Sequence, residues 1–369
     1  MTMERAGKDR DHYYPGTEDL ASDEMRVIAL GTGMPLTRRS QASASFLVQL
    51  GNGENFIFDI GSHAAANLAS LEIPYNDLTK VFLGHLHLDH VGDLSVLWIS
   101  GWLGARTTPL EVWGPSGPTP ELGTQAFIEN LKRTYMWDYR TRLGSVPKAG
   151  GDLIPHEFDF TKPGVVYEQN GVTISAFPAV HISDGAVSYR LDWNGRSFVY
   201  SSDTNPNKWF LDHGHDADLL IHETFMTANT LVERRGFDPK IAEMVATRYH
   251  TSPAQAGKVF SVVKPRMAVA YHFFNDIDTR YEVVSEIRRT YNGPLTLAED
   301  MMVWNIRNDR ILTRQVVAAE NVWPKQKPED AQNFTKLERG PEVKPSKWLE
   351  DQLLQFGPDL RIGNYPDKP

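Results

Sequence analysis

Gly84-His85-Leu86-His87-Leu88-Asp89-His90 is the stretch on which the reading of this chain turns. Four side chains able to bind a metal fall within six positions, between an apolar run at residues 80–83 and a helical apolar pattern at 93–103. On extended backbone, side chains alternate with period two, so His85 and His87 point to one side and can reach one ion. Asp89 and His90, projecting from the loop that bends into the helix, are placed to hold a second ion close to the first. The plainer use of Asp89 is as a helix N-cap. The chain has no cysteine, so a metal here rests on His, Asp or Glu. Imidazole and carboxylate without thiolate favour zinc, with iron and manganese as alternatives.

Two ions need more ligands, and the later strand-like runs end in them. His181 follows residues 174–180, Asp203 follows 198–202, and His272 follows 268–271. Any one of these alone reads as a hydrogen-bonded polar residue of the core. Beside the histidine cluster, the three read as ligands.

Working outward, residues 26–30 are strand-like and break at Gly31-Thr32-Gly33-Met34-Pro35. Runs 45–50 and 55–60 flank Gly51-Asn52-Gly53 and predict a hairpin. Residues 64–71 look helical. A second β-rich series, 165–167, 172–177, 186–191 and 197–201, is punctuated by Asn170-Gly171 and Asn194-Gly195. Strands at 217–221 and 267–270 then alternate with helices at 239–249 and 253–263. Two β-rich halves with flanking helices predict an α/β chain built as an αββα sandwich. The expected division is an N-terminal extension, 1–24, a catalytic domain, 25–317, carrying an insert at 107–164, and a C-terminal extension, 318–369. That last segment holds seven prolines around one amphipathic run at 348–356. It is read as wrapping the core, as binding a sister subunit in a homo-oligomer, or as a loose tail.

Composition narrows the partners. Of 369 residues, 41% are hydrophobic and 23% charged, which is ordinary for a globular protein. With 38 basic against 47 acidic side chains the formal charge is −9, so a nucleic-acid substrate needs a local basic patch. The first twenty residues carry no apolar leader-like run, and no long uncharged apolar stretch occurs. The expectation is a soluble protein with no membrane partner, cytoplasmic, or periplasmic if a leader has been removed.

H-x-H-x-D-H defines the metallo-β-lactamase fold hydrolases, and the chain resembles that superfamily from Arg26 to Trp304. The resemblance implies two Zn²⁺ per chain, one on His85, His87 and His181, the other on Asp89, His90 and His272, with Asp203 bridging. It also implies that Asp59 supports the ligand-bearing loop from behind. His222-Glu223-Thr224 and His250-Thr251-Ser252-Pro253-Ala254-Gln255-Ala256 resemble ribonuclease Z, as does Gly31-Thr32-Gly33. The implied chemistry is a dyad in which Glu223 orients and charges His250, which acts as general acid, with His222 behind it. The insert departs from that pattern: it has no dense Lys/Arg block to grip tRNA and holds Trp113, Tyr135, Trp137 and Tyr139 instead. The segments at 13–16, 111–117 and 270–276 resemble metagenomic metallo-β-lactamases that retain ribonuclease Z-like motifs.

The reaction expected on this reading is a dinuclear zinc-dependent hydrolysis by a hydroxide shared between the ions and oriented by Asp89. Without a basic arm, the favoured substrate is a small molecule and the favoured reaction β-lactam amide hydrolysis. The alternatives are tRNA 3′ processing, with RNA as partner, and hydrolysis of another small ester such as an aryl sulfate or lactone. Trp98 and Trp102, four apart on the helix after the cluster, are candidates to line the substrate pocket, the competing use being the core. Arg38 and Arg39 are candidates to anchor one phosphate or a β-lactam carboxylate.

Overall fold

The computed structural model of the chain describes residues 10–352. Within them the backbone forms two sheets. In spatial order the first contains His12–Tyr13, Ile311–Val316, Met302–Ile306, Met25–Gly31, Ser45–Leu50, Asn55–Phe58, Lys80–Phe82, Leu110–Pro115 and Leu153–Phe158. The second contains Leu295–Leu297, Met267–Tyr271, Leu219–Glu223, Arg196–Tyr200, Val187–Trp193, Val172–Pro178 and Gly164–Gln169.

The alternation of side chains explains how the layers stack. In Met25–Gly31, Met25, Val27 and Ala29 enter a core shared with Tyr189, Tyr200 and Ile221 of the other sheet. Ile28 and Leu30 point the other way, joining Leu68, Leu94 and Leu97 of the helices Ala64–Ser70 and Leu94–Leu103. A strand covered on both faces reads as a continuous apolar run, as this one does. The second sheet is covered likewise, with Phe210, Phe260 and Ile287 of three helices packed on Val199, Leu220 and Ala268. The result is the predicted αββα sandwich. Asn170-Gly171 and Asn194-Gly195 take φ of 53°/74° and 47°/70°, the doubly left-handed turn that matches strand twist in a two-residue hairpin.

Several elements add detail to the sequence expectation, and some depart from it. The insert extends the first sheet with two parallel strands, Leu110–Pro115 and Leu153–Phe158, around the helices Thr124–Thr134 and Met136–Arg142. The helical run at 239–249 is an α-helix, Pro239–Met244, continued by a π-helical turn, Val245–Tyr249. The N-terminal lead is tied down, because His12–Tyr13 pairs in parallel with Ile311–Val316. The C-terminal extension lies against the body of the fold. Lys325 pairs with Glu72, Lys327 Nζ with Asp77 Oδ1 at 2.6 Å, and Gly340 N–H donates to Leu143 O at 2.8 Å. The amphipathic run at 348–356 is helical at Lys347–Glu350, and residues 353–356 lie outside the described residues. No helix of the described residues is long and apolar enough to cross a membrane.

Val172–Pro178, Arg196–Tyr200, Leu219–Glu223 and Met267–Tyr271 run in the same direction, so their C-terminal ends meet at one edge of the sandwich. His181, Asp203, Glu223 and His272 stand at that edge.

Candidate metal centre

The cluster is carried by the loop after Lys80–Phe82 and the four-residue helix Leu88–Val91. Asp89 and His90 therefore sit in a helical turn rather than a loop, and the cap position falls to His87. The loop is pulled tight. A Cβ on Gly84 would lie 2.1 Å from Ser202 Oγ, so only glycine allows the approach. Three residues just past strand ends, Asp59, Ser202 and His272, take left-handed φ of 55°, 49° and 76°. Such strained backbone persists where the surroundings hold it, and here it turns each chain end toward the site.

Two sets of donor atoms converge. His85 Nε2 and His87 Nδ1 are 2.9 Å apart, and His181 Nε2 lies 3.4 Å from His87 Nδ1. Asp203 Oδ2 faces this group, 4.0 Å from His85 Nε2 and 3.8 Å from His181 Nε2. In the second set, Asp89 Oδ2 is 3.1 Å from His272 Nε2 and 3.5 Å from His90 Nε2. Asp203 Oδ1 lies 3.2 Å from His90 Nε2 and 3.3 Å from His272 Nε2. One carboxylate thus offers an oxygen to each set.

The donor set fits a metal. A tetrahedral zinc with ligands at about 2.0–2.1 Å has ligand–ligand edges of about 3.3 Å, within the spread of these separations. His90 Nε2 and Asp203 Oδ1 are fully buried and have no hydrogen-bond partner although they face each other. Buried polar atoms are rarely left so, and a shared cation explains the arrangement. The far ring nitrogens are bound in a way that frees the inner ones. Ser202 Oγ contacts His85 Nδ1 at 3.2 Å, Asp59 Oδ2 His90 Nδ1 at 2.6 Å, and Tyr249 O His181 Nδ1 at 2.8 Å.

Charge balance follows from the same packing. Burial pushes His85 down and His181 to about 4, so both keep free lone pairs at neutral pH. Burial opposes a charge on His90, yet Asp203, Asp89 and Asp59 around it raise it well above the imidazole range. Asp89 and Asp203 are held well below the carboxylate range by the facing histidines despite burial.

Beside these sets stands the dyad. His250 Nδ1 is 2.9 Å from Glu223 Oε2, and the His250 ring stacks on Phe225 at 4.2 Å, centred 5.2 Å from His181 and 5.4 Å from His272. Thr204 N–H donates to Glu223 Oε1 at 2.5 Å. Burial, then the Asp203 charge, raises Glu223 well above its usual range, and burial lowers His250. Both directions favour the uncharged pair over a charged imidazole, and the contact with Glu223 occupies Nδ1 and leaves Nε2 as the other ring nitrogen.

Five predicted site residues lie elsewhere. Trp98 and Trp102 are 1% and 0% exposed, and their indole N–H groups donate to Gly151 O and Pro147 O. They seat the insert on the helix and do not face the site. His222 is one residue from Glu223 on a strand, so it points to the opposite face, packed on Phe210 and Phe260 with Nδ1 on Glu223 O. Arg38 is bonded by two nitrogens to Asp276 and lies over Phe274, which occupies its fork. Arg39 stays exposed on a polar cleft shared with His63, Asn67 and Asp300. Asp59 is where it was expected, accepting also from Gly84 N–H and Tyr200 O–H, both at 2.7 Å. Ser202, Tyr249, Phe225 and Thr204 were not anticipated, since each reaches the site through a long-range contact that no local pattern signals.

Two donor sets sharing an aspartate at the strand-end edge of an αββα sandwich define a metal-dependent hydrolase of the metallo-β-lactamase fold, ribonuclease Z-like. Residues 25–234 match the family described as Anti-Pycsar protein Apyc1, and the chain belongs to that family. The chain is similar to a ribonuclease Z of Mycobacterium sp. (strain KMS), 27% identical over 256 residues, covering 69% of this chain and 85% of the relative. The fold is similar to that of the metallo-β-lactamase fold protein YhfI from Bacillus subtilis, with a TM-score of 0.57 and 20% identity over 77% of this chain and 99% of the other. The short form of human tRNase Z is similar too, with a TM-score of 0.57 and 20% identity over 76% and 99%.

Proposed function

We propose that the chain is a dinuclear zinc phosphodiesterase whose substrate is nearer one nucleotide in size than a folded RNA. The observation that carries this reading is the Glu223–His250 pair, 2.9 Å apart beside both donor sets. Phosphodiester hydrolysis adds water to phosphorus and expels an alkoxide, a poor leaving group that needs a proton. Ions held by His85, His87 and His181 and by Asp89, His90 and His272, with Asp203 between, would supply Lewis acidity and lower the pKa of a water to about 7. Asp89 and Asp203 orient the attacking oxygen. Glu223 fixes His250 Nδ1, and His250 Nε2 gives its proton to the departing oxygen, an arrangement worth about 10²–10⁴ in rate. Phe225 keeps the imidazole in plane.

Substrate size is argued from space and charge. The cleft opening on His85, His87 and His181, between Pro115–Leu122 on one wall and Ile182–Ala186 on the other, has a volume of about 210 Å³. A second open cleft of about 460 Å³ meets it at His181 and Ile182–Asp184, so the space beside the donors suits a small molecule. At a net charge of −9 and without a basic arm, the chain has little to neutralise many phosphates. RNA cleavage is the second reading, favoured by the likeness to ribonuclease Z over 256 residues. β-Lactam hydrolysis ranks below both, because of the two arginines expected to hold the β-lactam carboxylate, Arg38 is engaged by Asp276 and Arg39 stands on a cleft whose lining includes none of the metal donors.

Zinc-loaded protein should be assayed on bis(p-nitrophenyl) phosphate, a nucleoside cyclic phosphate, a tRNA precursor and a chromogenic cephalosporin. Turnover of the small diesters with little salt dependence is expected. Turnover of the cephalosporin alone overturns the proposal, and cleavage of the precursor alone, steeply weakened by salt, replaces it with the RNA reading.

A further inference from the structure

We propose that Asn205 is a positioning residue for the acid, fixing the turn that carries His250 to the strand ends that carry Asp203 and His181. The inference rests on the reading of His250 as general acid. Asn205 stands two residues after Asp203, half-buried, and makes two short bonds in different directions. Its backbone N–H donates to Val180 O at 2.6 Å, on the residue before His181. Its side-chain Nδ2 donates to Arg248 O at 2.5 Å. Arg248 and Tyr249 close the π-helical turn Val245–Tyr249, and Tyr249 O in turn receives His181 Nδ1 at 2.8 Å. His250 then leaves the turn on extended backbone, φ −133° and ψ 169°.

A π turn is rare and is found as a single turn at functional sites, because its wider ring places the following residue where an α turn would not. Such a turn needs something outside itself to hold it open. On the far side of His250 the chain is already fixed, since Thr251 Oγ1 donates to Thr204 O at 2.5 Å and Phe225 N–H to Thr251 O at 2.8 Å. On the near side the Asn205 amide makes the corresponding contact, at Arg248 O. Asn205 is itself held, because Asn207 Nδ2 donates to Asn205 O at 3.1 Å while Asn207 Oδ1 caps the helix Lys208–Gly214. Losing the clip frees the turn to relax toward α geometry, which shifts the His250 ring relative to the leaving oxygen but leaves the metal donors in place.

The test compares Asn205→Ala, Asn205→Asp and His250→Ala on two phosphodiesters, one with an alkyl and one with a p-nitrophenyl leaving group, with metal content measured for each. A displacement of about 1 Å at a reacting group costs on the order of 10²-fold in rate. Asn205→Ala should lower kcat on the alkyl diester by about 10- to 100-fold, with KM and metal content unchanged and the p-nitrophenyl rate nearly kept. Asn205→Asp, whose carboxylate cannot donate to the Arg248 carbonyl, should do the same or worse. If His250→Ala separates the two substrates and neither Asn205 variant does, this proposal is overturned alone. Equal losses on both substrates in His250→Ala overturn the acid and this proposal with it.

Discussion

Asp59→Asn should loosen the metal centre and the fold together. Asp59 is fully buried and accepts from Gly84 N–H at 2.7 Å, His90 Nδ1 at 2.6 Å, Tyr200 O–H at 2.7 Å and Ser202 O–H at 3.2 Å. A carboxylate satisfies all four, with Oδ1 toward Gly84 and Oδ2 toward the rest. An amide of the same shape must turn its NH₂ toward one side and leave at least one donor facing another donor. A stranded buried donor costs about 1–3 kcal/mol, so one or two of them amount to about 3 kcal/mol. With a urea slope of about 3 kcal/mol per M, the unfolding midpoint of the metal-free protein should fall by about 1 M. Because Asp59 also orients His90, metal affinity should fall by about 10- to 100-fold, read by competition with a chromophoric chelator. If affinity stays within twofold and the midpoint does not move, Asp59 is not the support described.

Four further outcomes follow from contacts described above. A histidine ligand must be neutral, and His90 is raised above 6.5 by Asp203, Asp89 and Asp59, so zinc uptake by metal-free protein at pH 7 should release at least one proton, measured by calorimetry in buffers of different ionisation heat. Being raised, His90 stabilises the metal-free fold fully below about pH 6.5 and less as pH climbs through its folded value, so the unfolding temperature should fall on the alkaline side; a rise there contradicts the assignment. Gly84→Ala should cost about 1–3 kcal/mol and reduce bound metal, because the new Cβ meets Ser202, and Ser202→Gly, compatible with a φ of 49°, should restore stability but not bound metal, since it removes the hydroxyl on His85 Nδ1 and Asp59. Arg38→Ala should change KM for a carboxylated β-lactam by less than about twofold, since its fork is spent on Asp276; a rise equivalent to 1.5–3 kcal/mol would return the amide reading to consideration.

What the sequence made legible was local. Asn170-Gly171 and Asn194-Gly195 specify their hairpins by backbone chirality alone, and residues 253–263 form a helix with the predicted bounds because Ser252 and Gln255 build a capping box and Pro253 starts the first turn. The seven donor residues that the structure brings together were legible because, in a chain without cysteine, metal-competent side chains are His, Asp or Glu, a restricted vocabulary. Orientation was harder. Trp98 and Trp102 share a helical face, but the spacing is the same whether that face meets a pocket or a core, and the insert that buries them lies 45 and 53 residues on, at Pro147 and Gly151. His222 was a missed opportunity: strand alternation forbids it from joining Glu223 on one face. Phe225, Tyr249 and Asn205 act through a ring face, a backbone carbonyl and a clip, none of which has a sequence signature.

Anomalous scattering from crystals of the zinc-loaded chain is the most direct test of the two-ion site. The account predicts two peaks. One should lie about 2.1 Å from His85 Nε2, His87 Nδ1 and His181 Nε2, the other at a similar distance from His90 Nε2, His272 Nε2 and an Asp89 oxygen, with Asp203 reaching both. A single peak, or a peak held by Glu223 and His250 in place of the second, would contradict it.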